Sequence, residues 1–445
     1  MAAVLAPVAG ALAPVAQAGG WPWWTTTVAA AVAVVVAAGA DTTRAPRPER
    51  IDVRRDAPAV LTLDAEATVT WRLANPTARA ARVALADALW PSLRADDRRA
   101  RVALPARSAA SAATRIRPER RGRFALGDVT LRVESPVGLV AWQATRTLPG
   151  ELRVYPPLRS RDVAEQRLRA AQLRTGLLIA AGTGGGTEFE ALREYTRDDE
   201  FRHIDWGATA RLGTPIVRTY RPERNQTVLV LVDTGRTMAG QLAVPGGRAR
   251  LSHGGEWTVP RLDHAMDAAL ALTRVATGLG DAVGLVAFDA DVRAVLPPRG
   301  RTDQLQRVGH ALHELEPALV ESDYRRAFVE ALGRFPRRAF VLVLTELADE
   351  PMSATLLPAL PIVLRDHLVT VAGVRDPEVD TWARAVPADA DEAYRKAAAV
   401  AALAERRRAA GRIRGLGARV VDAAPADLAA GVIDTYLAEK RSGRL

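Results

Sequence analysis

The stretch VLVLVDTGRTM, Val228 to Met238, holds the residues best placed to do chemistry. Five apolar residues run into Asp233, and a loop with two hydroxyls, Thr234 and Thr237, follows. One kind of metal site begins this way, with the spacing Asp-x-Ser-x-Ser at the end of a buried strand. Here the three slots hold Asp233, Gly235 and Thr237, so the middle hydroxyl is missing. A second carboxylate, Glu346, ends another apolar run, FVLVLTE.

A different cluster lies upstream, in EFEALREYTRDDEFRHIDWGATARLGTPIVRTYRPERNQ. His203, Asp205 and Trp206 stand almost side by side in it, with Glu188 and Glu190 before them. Those four titratable residues could form a metal-dependent hydrolytic site or an acid–base pair. The blander alternative is a docking segment whose charges pair with one another around a buried Trp206. The blander reading is favoured, because no second His stands at ligand spacing. The glycine-rich AAGTGGGTEF, Ala180 to Phe189, is not a phosphate-binding loop, since no Gly-Lys-Ser/Thr follows and no strand precedes it.

The elements that must carry these residues alternate from Thr227 onward. TVLVLVD, DAVGLVAFD, RAFVLVLTEL, HLVTVAGV and ARVVDA read as buried strands, and amphipathic helical stretches separate them. Repeated strand–helix units imply a doubly wound, Rossmann-type, mostly parallel α/β sheet. Ligands of such sheets sit at the carboxyl ends of the strands, which puts Asp233 and Glu346 on one rim. The Gly-rich loop Gly240 to Trp257 follows directly, and reads either as a recognition loop of that rim or as an insertion with no role. From Ile51 to about Leu158 the period is two: ATVTWRL sets Val69, Trp71 and Leu73 on one face. RFALGDVTLRV does the same with Phe124, Leu126, Val129, Leu131 and Val133. With turns at NPT, RRG, LGD and ESPVG, this predicts an antiparallel β-sandwich.

The 445 residues exceed one ordinary domain. The expected division is a membrane anchor at 1–40, a β-sandwich at 41–158, a linker or docking segment at 159–226 and the α/β domain at 227–445. The net charge is +10, almost all from Arg, since Lys occurs only at Lys396 and Lys440. These charges are interleaved with acids and no groove-reading motif accompanies them, so nucleic acid is not an expected partner. The chain has no Cys, which removes disulfides, thiol nucleophiles and Cys-ligated zinc. Residues 2–40 carry no charge and split at GGWPWW. They read as a transmembrane helical hairpin, with one span or a degraded anchor as the alternative, since each half is short against the roughly 20 residues a span needs. Trp21, Trp23 and Trp24 suit an interfacial belt. Arg44, Arg47, Arg50, Arg54 and Arg55 would then place the rest of the chain on the cytoplasmic side of an inner or plasma membrane.

The segments GTEFEALREYTRDDEFRHIDWGATAR, VDTGRTM, GDAVGLVAFD and GARVVDA…YLAEK together resemble the family called domain of unknown function 58. That resemblance implies a von Willebrand factor A-like C-terminal domain, no established catalysis, and a MoxR-type AAA+ ATPase as partner. It also implies where a metal-ion-dependent adhesion site would fall. Asp233 and Thr237 match the first loop, Ser322 or Asp323 in VESDY takes the second-loop Thr slot, and Glu346 stands for the third-loop Asp. The pattern is degenerate, so bound Mg²⁺ competes with a metal-free rim in which Arg236 neutralises the crowded carboxylates. The expected function is a membrane-anchored, non-catalytic scaffold for protein maturation or envelope stress, with Gly235, Arg236, Asp205 and Trp206 touching partners. A metal-dependent hydrolase and a structural envelope protein are the alternatives.

Overall fold

The chain is described by a computed structural model covering all residues except 1–22, 45, 136, 181–187, 196–200, 202–203, 222–225, 244–257, 348–351 and 443–445. It divides into two compact units, Met1–Tyr155 and Pro156–Leu445.

The first unit overturns the expected membrane hairpin. Among the described residues no helix is long and apolar enough to cross a membrane. The first half of the expected hairpin lies outside the described residues; the second half is helix α1 (Trp23–Thr42). Its large aliphatic side chains are only Val28, Val32, Val34, Val35 and Val36, set among Ala, Thr and Gly that bury little area each. The helix runs directly into the β-rich region. Asp41 near its end is 1% exposed and accepts hydrogen bonds from Ser135 Oγ and from the amides of Val137 (3.3 Å) and Leu139 (3.2 Å).

The strands that follow are β1 (Asp52–Asp56), β2 (Val60–Thr62), β3 (Ala67–Asn75), β4 (Ala81–Asp87), β5 (Arg99–Leu104), β6 (Ser108–Ile116), β7 (Gly122–Leu126), β8 (Val129–Glu134), β9 (Ala141–Arg146) and β10 (Gly150–Tyr155). They pair as three sheets, β1-β3-β6, β5-β4-β8-β9 and β2-β10-β7. The last is not wholly antiparallel, since β10 runs parallel to β2. The period-two faces are buried as their spacing predicts: Val69, Trp71, Leu73, Phe124, Leu126, Val129, Leu131 and Val133 are all at most 7% exposed. Asp87 lies beneath them, bonded by Trp71 Nε1 (2.6 Å) and paired with the buried Arg55 (2.8 Å).

The second unit starts with α2 (Arg161–Ala180), β11 (Glu188–Glu194), α3 (Trp206–Leu212) and β12 (Ile216–Arg221). The α/β portion follows with β13 (Thr227–Asp233), β14 (Gln241–Ala243), β15 (Thr258–Pro260), α4 (Arg261–Gly278), β16 (Ala282–Phe288), β17 (Val292–Arg299), α5 (Gln304–Leu312) and α6 (Tyr324–Arg334). It ends with β18 (Phe340–Leu344), α7 (Leu357–Leu364), β19 (Leu368–Val374), α8 (Pro377–Arg384), α9 (Ala390–Gly415), β20 (Arg419–Ala423) and α10 (Leu428–Arg441). The segment expected as a linker is part of this unit. Ala164 and Leu168 of α2 pack into its core, and Ser160 Oγ donates to Asp267 at 2.5 Å.

The main sheet has the order β17-β16-β13-β18-β19-β20 and is parallel except for β17. Strand order reverses between β13 and β18, so the carboxyl ends of those two strands frame the ligand position of a doubly wound sheet. Val228, Val230 and Val232 bury against α2, α4 and α10; Leu229 and Leu231 bury against α6, α7 and α9. Burial on both faces explains the unbroken apolar runs. Each such side chain contributes roughly 1.5–3 kcal/mol.

Helix α4 brings a titratable group into this core. His264 is 7% exposed, its Nε2 has no hydrogen-bond partner among the described residues, and burial aided by the positive charge of Arg159 lowers its pKa from 6.5 to about 4. The folded state therefore favours neutral imidazole. Its contribution is present above about pH 6.5 and is lost as the pH falls toward about 4, at roughly 1.4 kcal/mol per pH unit. We expect the urea midpoint to fall along this limb, and His264→Gln to flatten it. An identical acid limb in the variant would contradict the assignment.

Candidate functional site

Asp233 ends the central strand and is fully buried. Its Oδ1 accepts from the Gly235 amide at 2.8 Å and from Ser322 Oγ at 2.5 Å; its Oδ2 accepts from Tyr324 OH at 2.8 Å and Thr345 Oγ1 at 2.6 Å. The two hydroxyls on Oδ2 are themselves 2.7 Å apart. Burial, and next the Asp233 charge, push the Tyr324 phenol well above its ordinary pKa, so it stays protonated and donates. Three segments thus converge on one carboxylate: the loop after β13, the start of α6 and the first residue after β18.

Gly235 is explained by the same knot. A Cβ there would lie 2.1 Å from Ser322 Oγ, 3.0 Å from Val320 O and 3.1 Å from Asp233 Oδ1. Its φ of −75° is open to any residue, so the requirement is space rather than conformation. The Ser322 hydroxyl fills the room that a side chain at position 235 would need.

The other expected rim residues go elsewhere. Thr237 is half-buried on the 3-10 turn Arg236–Ala239 and makes no hydrogen bond to a described residue through its side chain. Asp323 caps α6, accepting from the Arg326 amide at 2.9 Å. Glu346 is 7% exposed and faces Arg406 of α9, with Arg261 Nε at 3.4 Å; Arg406 also binds Asp422 at 3.0 Å. Burial raises the Glu346 pKa, and the two arginines oppose that shift. Asp233 and Asp323 thus each have hydrogen-bond donors of their own, and Glu346 has two arginines. Arg236 does not neutralise Asp233; it pairs with Glu321 at the surface.

In this arrangement protein donors occupy the positions on Asp233 that a cation would need. A carboxylate offers about four lone-pair positions, and Asp233 fills four with protein donors. Among the described residues no three acidic, His or Cys side chains are grouped to hold a metal.

In the upstream cluster, Asp205 is the N-cap of α3, accepting from the Ala208 amide at 3.0 Å. Trp206 is not buried but 61% exposed, edge-on to Phe201 at 5.6 Å. His203 lies outside the described residues. Glu188 and Glu190 lie on β11, whose pairing with β12 is irregular between Phe189 and Ala191.

Sequence reasoning missed Tyr324 and Thr345. Each adjoins a residue it chose, Asp323 and Glu346, and a buried hydroxyl next to a charge leaves little trace in sequence. It also missed Leu319 and Val320, 83% and 42% exposed, on the loop whose Val320 carbonyl accepts from the Arg236 amide at 2.9 Å.

Residues 191–388 match a family model described as "Protein of unknown function DUF58". No curated protein matches the chain. Among solved structures, it is similar to conserved hypothetical protein BatB from Bacteroides thetaiotaomicron. The identity is 15% and the TM-score 0.29, over 48% of this chain and 100% of that one. It is also similar to a protein of unknown function from Porphyromonas gingivalis W83, at 20% identity and a TM-score of 0.19 over 24% of this chain and 48% of that one. Neither score bears on function.

Proposed function

We propose, with the family match over residues 191–388 as premise, that this chain is a non-catalytic adaptor. Its second unit would be a von Willebrand factor A-like domain that grips a protein partner, a MoxR-type AAA+ ATPase, through the rim at the carboxyl ends of β13 and β18. The observation that carries this reading is the exposed pair Leu319 and Val320 on a loop tied to the buried Asp233 knot. Beside that apolar centre stands the exposed ion pair Arg236–Glu321. An apolar centre within a polar rim is the usual anatomy of a protein interface. Catalysis has no comparable support, because Asp233 is closed off from solvent and its oxygens are taken.

Co-purification of the full chain with the ATPase in its nucleotide-bound state tests this. Leu319→Asp is expected to weaken the complex at least about tenfold, as loss of a central anchor does, while leaving the unfolding midpoint unchanged. Wild-type affinity in Leu319→Asp and Val320→Asp alike would refute the rim as the docking surface.

A further inference from the structure

Helix α1 carries one ionisable side chain, Asp41, and it stands at the unfavourable end. The carboxyl end of a helix repels an anion, and no basic residue in the last turn offsets it. Asp41 is buried all the same, so groups outside the helix must hold it. The turn between β8 and β9 supplies them. Asp41 Oδ1 accepts from the Val137 amide at 3.3 Å, and Oδ2 accepts from the Leu139 amide at 3.2 Å and from Ser135 Oγ. The turn has its own bonds and needs none from Asp41 to take its shape. Ser135 N donates to Val140 O at 3.0 Å, and Gly138 N to Ser135 O at 3.0 Å. The Val140 amide donates to Ser135 Oγ at 3.2 Å, which leaves the hydroxyl proton for the carboxylate. Gly138 has φ +83°, in the left-handed region. Amides around a turn of this kind form a concavity that takes anions.

We infer that this turn is a receptor for a single carboxylate and that Asp41 is its tethered ligand, latching α1 to the β region. The ligand class follows from the donors: two amides and one hydroxyl reach both oxygens of one carboxylate. Burial alone would raise the Asp41 pKa, but these three bonds, with the charge of Arg44, outweigh it and hold the carboxyl below its ordinary value. The bound form is therefore the anion. Helix α1 depends on the latch. A helix of its length is marginal alone in water, and its Val28, Val32, Val35 and Val36 remain exposed rather than packed. A bond from Arg79 to the Thr43 carbonyl lies beyond the last turn of α1 and at the surface. The latch belongs to the first unit and is independent of the rim and of the partner proposed for it.

Amide hydrogen exchange of the full chain tests the latch and the receptor separately. In Asp41→Ala, exchange across α1 is expected to accelerate at least about tenfold. The amides of Val137 and Leu139 lose protection in the same variant, while β3 and β4 keep theirs and report a folded chain. Ser135→Ala, which leaves the carboxylate in place, is expected to accelerate α1 about threefold or more. Sodium acetate is then compared with sodium chloride at equal ionic strength. In Asp41→Ala, acetate is expected to restore protection at Val137 and Leu139 with half-effect near about 100 mM, and to leave α1 open because the new carboxylate is not attached to it. The wild type does not respond, since its tethered carboxylate acts at a much higher effective concentration. Unchanged α1 exchange in both variants would overturn the latch. No protection of the turn by acetate up to about 1 M would overturn the receptor.

Discussion

Asp233→Ala is expected to destabilise the second unit by about 4 kcal/mol, among the largest effects of any single substitution in this chain. The carboxylate is the acceptor for three hydroxyls and one amide, all within 2.8 Å. Each buried donor left without an acceptor costs about 1–3 kcal/mol. The sum is reduced because Tyr324 and Thr345 can bond each other across their 2.7 Å separation. Asp233→Asn keeps the shape and loses the charge-assisted strength, so about half the effect is expected. Urea unfolding reads both numbers. The same experiment examines the metal: a ligand that binds only the folded state raises the midpoint with its concentration. Added Mg²⁺ is expected to leave the wild-type midpoint where it is. A Mg²⁺-dependent rise that vanishes in Asp233→Asn would show that the hydroxyls give way to a cation.

The second large effect concerns Gly235. Gly235→Ser would complete the middle slot of the Asp-x-Ser-x-Ser spacing, yet it is expected to destabilise by about 2–3 kcal/mol through overpacking. Its Cβ would stand 2.1 Å from Ser322 Oγ, with the backbone carbonyl of Val320 at 3.0 Å preventing easy retreat. Ser322→Ala alone removes one donor to Asp233 and should cost about 1–2 kcal/mol. In the double variant the hydroxyl moves from one loop to the other and the clash is relieved. A coupling of about 1–3 kcal/mol in favour of the double variant is expected from a mutant cycle at contacting residues. Additive costs would mean that the glycine is required for some reason other than the Ser322 hydroxyl.

Much of the frame was legible because burial on two faces writes a plain signal. TVLVLVD and FVLVLTE could hardly be anything but interior strands, and their carboxyl ends do flank the switch point. The β region was legible for a similar reason, in the alternation of Val69, Trp71 and Leu73. The site was not legible to the same degree. Charged residues draw attention in sequence, and Asp323, Glu346 and Arg236 were chosen on that ground. In the fold they serve as a helix cap, a partner for Arg406 and a surface ion pair. Two of the four donors to Asp233, Tyr324 and Thr345, matter only because the start of α6 and the end of β18 are brought to it from 91 and 112 residues away. The N-terminal expectation failed for another reason. A stretch without charge is not thereby apolar enough for a membrane, and Ala and Thr fill much of Trp23–Thr42.

Thr345 and Glu346 are neighbours held in opposite directions. Thr345 is tied to the carboxylate that ends β13, and Glu346 to Arg406, which itself holds the Asp422 carboxylate of β20. The peptide unit between them cannot turn without surrendering one of these attachments. A surface built on such a frame loses little conformational freedom when something settles on it, so the entropic cost of association falls mainly on the incoming molecule. If the proposed partner docks at this rim, the complex is expected to show slow dissociation set by fit and a heat-capacity change matching the apolar area covered, without the extra ordering signature of a loop that folds as it binds.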